Sequence, residues 1–332
     1  MANNIEARPV TADGVRRAAE RIKGHAIRTP LIENKFLNDA VDGRVLVKAE
    51  PLQVGGSFKF RGAFNLVSQL TASERERGVL AWSSGNHAQG IARAARHFGT
   101  QATIIMPKDT PALKVEQVRA FGAEIIFYDR YSEDREAIAK PIVEKTGMVL
   151  APSFDHPDII EGQGTLGMEV VEDARAMDVD LDAFIVCCGG GGLTSGCATI
   201  IDDMSPNTQT WISEPEGFDD TWLSIQKGER VSIDITQRTI CDAIATPTPG
   251  RLTFPIMQKL VRGGVNVTEA EVGQAMIFAF KYLKVVAEPG GAVALAAILS
   301  GKFDGKGKTT AITISGGNVD PALYAEILGR KS

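Results

Sequence analysis

One lysine, Lys59, stands in the stretch GGSFKFRGAFN (55–65), after two glycines and just before a run of helical apolar spacing. Lysine ordinarily keeps its ammonium in water. A sheltered lysine loses its charge more readily and becomes a nucleophile and a base. A second stretch, CCGGGGLTSG (187–196), sets four consecutive glycines between an apolar run and a helical pattern. Glycine lets backbone amides approach an anion, and the helix start adds unpaired N–H groups and a favourable dipole. One tight turn does not need four glycines, so phosphate is the natural guest. The loop is not a dinucleotide fingerprint: G-x-G-x-x-G counted from Gly189 meets Thr194 at its last position, and from Gly190 it meets Ser195. No Gly-Lys-Ser/Thr follows, so it is not a P-loop. A phosphate cradle with one sheltered lysine suits a phosphorylated aldehyde held as a Schiff base, and pyridoxal phosphate is such a molecule.

These residues need a scaffold, and the chain alternates short β-branched runs with helical patterns. Strands are expected at 44–50, 79–82, 102–107, 124–129 and 148–151, with helices at 60–70, 87–98, 112–121 and 133–145 between them. This βαβ order implies a parallel sheet with right-handed crossovers. A second series follows: helix 163–177, strand 183–188, helix 193–204, strand 210–213, helix 269–284 and strand 309–315. Thr268 and Glu271 form a capping box at the start of the penultimate element. The stretch APSFDHPDIIEG (151–162) is the expected passage between two domains. In such sheets ligands bind outside the carboxyl ends of the strands. SSGNH, GGGGLTSG, EPEGFDD and SGGN each follow a strand, which points to one shared crevice.

Composition narrows the classes. The chain has 332 residues, 44% hydrophobic and 23% charged, and a formal net charge of -5. That balance argues against a nucleic-acid binder, which carries a basic surplus. MANNIEARPV has no apolar core of a secretory leader, and the longest clean apolar run, AVALAAIL (292–299), is too short to span a bilayer. A cytoplasmic location is expected. The four cysteines, Cys187, Cys188, Cys197 and Cys241, form no C-x-x-C and read as buried free thiols rather than zinc ligands.

SFKFRGA, SSGNHAQG, GGGGL, EPGGAVALAA and SGGN occur in the order and approximate spacing of the fold-type II pyridoxal-phosphate enzymes. The chain resembles the serine/threonine dehydratase and serine racemase group over nearly its whole length, in the short form without a C-terminal regulatory domain. The resemblance implies a two-domain α/β fold of mostly parallel twisted sheets with helices on both faces. Residues 1–52 and 154–332 would form a large domain and residues 53–153 a small one. It implies that Lys59 holds the cofactor, with Phe58 beside its ring and Asn86 on its phenolic oxygen. Gly189, Gly190, Gly191 and Gly192 with the Leu193 N–H match the phosphate cradle, and Ser315 the partner of the pyridine nitrogen. Ser83, Ser84, Gly85, Asn86 and His87 match the loop that takes the substrate α-carboxylate. A homodimer is expected, as is common among relatives.

The reaction implied is loss of water from a β-hydroxy amino acid, giving a 2-oxo acid and ammonia, with Lys59 as the base at the α-carbon. L-Serine and L-threonine rank first; 3-hydroxyaspartate elimination and serine racemisation are the alternatives. A catalytically dead ligand-binding relative and a nucleotide-binding oxidoreductase are the competing classes. Three positions depart from a plain threonine deaminase. Ser84, usually alanine there, matches the second acid/base of serine racemases. Arg135 matches an arginine near the racemase substrate end, or is a solvated helix residue. In DAIATPTPG (242–250), Ala243 replaces a glycine usually packed on the cofactor ring, and the loop is one residue longer. Finally, Glu214, the Phe218 carbonyl and Asp220 have the spacing of the racemase cation site, suited to Mg²⁺ or Ca²⁺; the alternative is an acidic, solvated turn.

Overall fold

The structure is a computed structural model and describes residues 8–110, 112–129, 132–234 and 238–330. Its strands are β1 (Leu31–Glu33), β2 (Arg44–Ala49), β3 (Val79–Trp82), β4 (Ala102–Pro107), β5 (Glu124–Tyr128), β6 (Val149–Leu150), β7 (Ala183–Cys187), β8 (Gln209–Pro215), β9 (Val261–Val267) and β10 (Thr309–Ile314). They form two sheets, of order β1-β2-β10-β7-β8-β9 and β5-β4-β3-β6. Among the described strands only the β1–β2 pair is antiparallel; the other ladders are parallel. Parallel strands need crossovers and are buried on both faces, which is why β4 and β7 read as nearly unbroken apolar runs, while β10, TTAITI, is β-branched.

The expected strands and helices are found within a few residues, with instructive differences. The 44–50 strand does not join the run that follows it; β2 pairs with β10 in the larger sheet. Pairing between residues so far apart is invisible to local pattern. The helix expected at 163–177 begins at Pro157, because proline suits a first helical turn; residues 157–162 are therefore helical and only 151–156 is irregular. The helix expected at 269–284 stays α only to Phe278 and continues as a π-helix over Ala279–Leu283, closed by Lys284 at φ 58°. Its capping box forms as expected. β1 and β9 carry no clear strand signal: the first has three residues and the second, VRGGVNV, contains two glycines. AVALAAIL lies in the buried helix Pro289–Leu299. The four cysteines are free and buried.

One packing feature fixes the site. Helix Lys59–Ser68 crosses helix Pro157–Ala176 at Gly62 and Gly162, where a Cβ on Gly162 would stand 2.7 Å from the Gly62 Cα. Beside this crossing, the fully buried Arg61 donates to Glu50 at 2.8 and 2.9 Å and to Glu169 at 2.7 and 2.9 Å. Glu169 also pairs with the buried Lys48 at 2.7 Å. A planar guanidinium satisfies two carboxylates in this way and an ammonium cannot. Breaking a buried pair leaves a stranded charge. Arg61→Met should therefore cost about 3–5 kcal/mol in urea unfolding, with Arg61→Lys recovering only part of it.

Candidate active site

The crevice at the carboxyl ends of β3, β7 and β10 holds a cavity of about 390 Å³, lined by Lys59, the Ser83–His87 loop, Ser315 and the 242–247 segment. A smaller cavity of about 70 Å³ shares Phe58 and Lys59 with it and is lined by Gly189–Gly192 and Leu193. Two helix N-termini open here. Helix Gly192–Met204 starts after Gly191 at φ 90° and has no side-chain cap. Helix Asn86–His97 starts after Gly85, again with no side-chain cap. Uncapped amide groups carry partial positive charge and seek an anion. The fold thus offers two anion-binding amide sets in one crevice, the larger cavity reaching one and the smaller the other.

The tetraglycine is held by its carbonyls, which leaves its amides available. Thr253 Oγ1 donates to the Gly190 carbonyl at 2.7 Å and Thr221 Oγ1 to that of Gly189 at 3.1 Å. A Cβ on Gly190 would meet the Phe154 ring at 2.4 Å, and one on Gly192 would meet Gln163 Oε1 at 2.6 Å. No larger residue fits at either position without movement. The site therefore has the concave, amide-lined form a phosphate needs.

Lys59 is the first residue of its helix. Its Nζ donates to the Ser153 carbonyl at 2.9 Å and lies 5.0 Å from the centre of the Phe58 ring. Burial pushes its ammonium down to about 8, with Cys187 and Glu288 opposing that shift. Asn86 donates to Glu288 Oε1 at 2.6 Å and accepts from Asn318 at 2.8 Å, so its amide is fixed in one orientation. Burial raises Glu288 to about 7, opposed by the Asn86 hydrogen bond. His87 keeps its ring against the Ala151 carbonyl at 2.8 Å, and burial lowers it to about 3, so it stays neutral. Ser315 lies beside the Cys187 thiol, which burial raises to about 11; its carbonyl accepts from Phe58 N at 3.1 Å.

The crevice thus gathers Lys59, Phe58, Ser83, Ser84, Gly85, Asn86, His87, the four glycines, Leu193 and Ser315, which the sequence singled out. Arg135 also lines it, at the first position of helix Arg135–Thr146, its guanidinium 5.9 Å from the Trp82 ring. Four further groups escaped sequence reading. Glu288 and Asn318 sit inside stretches that carried the resemblance, yet only folding brings them to Asn86. The Ser153 carbonyl is a backbone group with no sequence signal. Lys114, on helix Ala112–Ala120, reads as an ordinary surface lysine but faces the crevice.

Glu214, Phe218 and Asp220 are all buried, so they do not form a solvated turn. Glu214 accepts from Thr221 N at 3.2 Å and Trp222 N at 2.9 Å, whereas neither Asp220 oxygen has a hydrogen-bond partner. Burial raises both carboxyls, Asp220 to about 8 and Glu214 well above its usual range, with Asp220 adding to the rise of Glu214. Among the described residues no cluster of three or more His, Cys, Asp or Glu side chains is present. Two carboxyls with two orphaned oxygens form a donor set that fits a hard cation.

The family described as pyridoxal-phosphate dependent enzyme matches residues 22–316. The chain belongs to this family. It is 45% identical over 312 residues to an L-threo-3-hydroxyaspartate ammonia-lyase of a Pseudomonas species, covering 94% of this chain and 96% of the relative. It is 42% identical to a serine racemase of Schizosaccharomyces pombe, covering 96% of this chain and 98% of that one. Among solved structures, maize serine racemase superposes with a TM-score of 0.90 at 34% identity, covering 96% and 97% of the two chains. The fold is that of the fold-type II pyridoxal-phosphate enzymes, as the sequence resemblance implied.

The lowered Lys59 ammonium is open to measurement. In cofactor-free protein labelled competitively with acetic anhydride, the Lys59 peptide should gain reactivity as pH rises through about 8 and then level off. Surface lysines should keep rising toward their ordinary value of 10.5. A Lys59 profile that follows the surface lysines contradicts the burial argument.

Proposed function

We propose that this protein is an ammonia-lyase that eliminates water from a β-hydroxy amino acid bearing a second carboxylate, as 3-hydroxyaspartate does. The observation that carries this reading is Arg135. It lines the crevice, and among the described residues no carboxylate lies within ion-pair distance of it. The acids around it are already engaged. Glu133 accepts from Asp129 N, Asp134 caps its own helix at Glu136 N, and Glu288 accepts from Asn86. A dicarboxylate supplies the partner that an unpaired guanidinium in a crevice lacks. The 3-hydroxyaspartate ammonia-lyase among the relatives supports the same choice.

Pyridoxal phosphate, when bound, supplies an electron sink for charge developing at the substrate α-carbon. Gly189–Gly192 and Leu193 would hold its phosphate, Phe58 its ring, Asn86 its phenolic oxygen and Ser315 its pyridine nitrogen. A serine leaves that nitrogen less positively charged than a carboxylate would, which favours elimination over transamination. The amides of Ser83–His87 bind the α-carboxylate at the uncapped helix start. Lys59, neutral at modestly alkaline pH, takes the α-proton. Ser84 is a second hydroxyl able to handle a proton in the same crevice, and it supports serine racemisation as a side activity, in line with the racemase relative. We group residues 53–153, which include the four-stranded sheet, as one domain and the remainder as the other, with the crevice between them.

The test is to compare kcat/KM for serine, threonine and the 3-hydroxyaspartate isomers. A 3-hydroxyaspartate isomer should be preferred by more than about tenfold, or about 1.4 kcal/mol, and Arg135→Ala should remove that preference. If Arg135→Ala lowers all substrates equally or none, Arg135 is a solvated helix residue and serine and threonine return to first place.

We also assign a divalent cation, Mg²⁺ or Ca²⁺, to Glu214, the Phe218 carbonyl and Asp220, as a structural support. A ligand that binds only the folded state stabilises it by mass action. Chelation should lower the melting temperature, millimolar Mg²⁺ or Ca²⁺ should restore it, and Asp220→Ala should abolish the response. An unchanged melting temperature on chelation rules the site out.

A further inference from the structure

We propose that Lys114 is a second cation for the distal carboxylate of the substrate, held by Asp242 until that carboxylate arrives. This rests on the dicarboxylate reading above and adds to it a residue and an exchange of partners. Lys114 lies on helix Ala112–Ala120, its side chain only 16% exposed. Its Nζ stands 3.7 Å from where a Cβ on Gly85 would be, immediately beside the Ser83–His87 loop. With Arg135 it therefore brings two cations from two helices into the crevice that holds that loop.

The pair with Asp242 is poor as an ion pair. The separation is 3.4 Å, against about 2.7–2.9 Å for a well-formed charge-assisted hydrogen bond. Asp242 is 56% exposed, so solvent screens the attraction. Asp242 begins the segment 242–247, which lines the same cavity as Lys114, so the pair links two parts of its lining. A weak, partly exposed pair does little to hold the fold. It does keep a lysine near the place where a substrate carboxylate would arrive, and it offsets the charge of a lysine in a crevice that also holds Arg135. Lysine suits the task because its ammonium is a compact charge on a flexible stem and can change partner without a fixed fork geometry. With the α-carboxylate taken by the Ser83–His87 amides, a second carboxylate is the group left to draw Lys114 from Asp242. Lys114 and Asp242 together thus select for substrate charge.

The experiment uses the holoenzyme and two unreactive probes, succinate and butyrate, which share a four-carbon chain and differ in the second carboxylate. Their dissociation constants are measured by calorimetry for the wild type, Lys114→Met, Lys114→Arg and Asp242→Asn. The wild type should bind succinate more tightly than butyrate. Lys114→Met should reduce that preference by about tenfold or more, and Lys114→Arg should keep most of it. Asp242→Asn should tighten succinate binding, because Lys114 is then free; unchanged or weaker binding overturns the role given to Asp242. If the wild type prefers succinate and Lys114→Met keeps the full preference, the assignment of Lys114 is wrong while the dicarboxylate reading stands. If the wild type shows no preference, both fall. Should Lys114→Met not fold, as judged by circular dichroism and cofactor absorbance, Lys114→Gln takes its place under the same criteria.

Discussion

The arrangement depends on where the Lys59 backbone is held, and a buried ion cluster two residues away holds it. Arg61 is bound by Glu50 and Glu169, and Glu169 is shared with Lys48 of β2. Four segments meet there: the strand β2, the short turn after it, the Lys59 helix and the helix Pro157–Ala176. Glu50 and Glu169 face Arg61, and Lys48 is met by Glu169 and Asp173, so each base has carboxylate partners. Desolvation makes such clusters poor sources of net stability compared with apolar packing. Their value is geometric, because a bidentate guanidinium admits little sliding. The close glycine crossing at Gly62 and Gly162 acts in the same sense, fixing how near the two helices lie.

With its backbone fixed, the reactivity of Lys59 follows from burial. The amine sits in a crevice whose other titratable groups are also buried, and the shifts run in complementary directions. Lys59 is lowered to about 8 and Glu288 raised to about 7. Near neutral pH both lie close to their midpoints, so a proton moves onto or off either group at small cost. His87, lowered to about 3, cannot compete as a proton carrier in that range. Its ring instead ties the Ser83–His87 loop to Ala151, two residues before the Ser153 carbonyl that receives Lys59. The segment 151–153 is therefore a common anchor for the amine and for the loop opposite it.

Much of this was legible in the sequence, for physical reasons. The central parallel strands are buried and read as apolar or β-branched runs, so β3, β4, β7 and β10 were found nearly to the residue. Four glycines in a row admit few explanations, and a lysine between glycines and an apolar helix admits few more. The parts that escaped depend on long-range contact. β2 lies beside β10 across more than 250 residues of chain, a pairing that no local periodicity encodes. Glu288 and Asn318 orient Asn86 from positions 202 and 232 residues away. Lys114 carries the signal of a surface lysine until the fold turns its helix toward the crevice. The helix expected through 284 failed because a π-turn, like a kink, is set by what the helix end packs on rather than by propensity.

The acidic pocket at Glu214 and Asp220 is distant in role from the amine but not isolated from the cradle. Glu214 accepts from the amides of Thr221 and Trp222, and the Thr221 hydroxyl donates to the Gly189 carbonyl. Ser224 Oγ in turn donates to the Asp220 carbonyl, one turn along the same helix. A change of charge at the two carboxyls therefore acts on the start of helix Asp220–Lys227, and that helix start is hydrogen-bonded to the first glycine of the loop. Thr221 is thus one residue that links the acidic pocket to the first glycine of the loop.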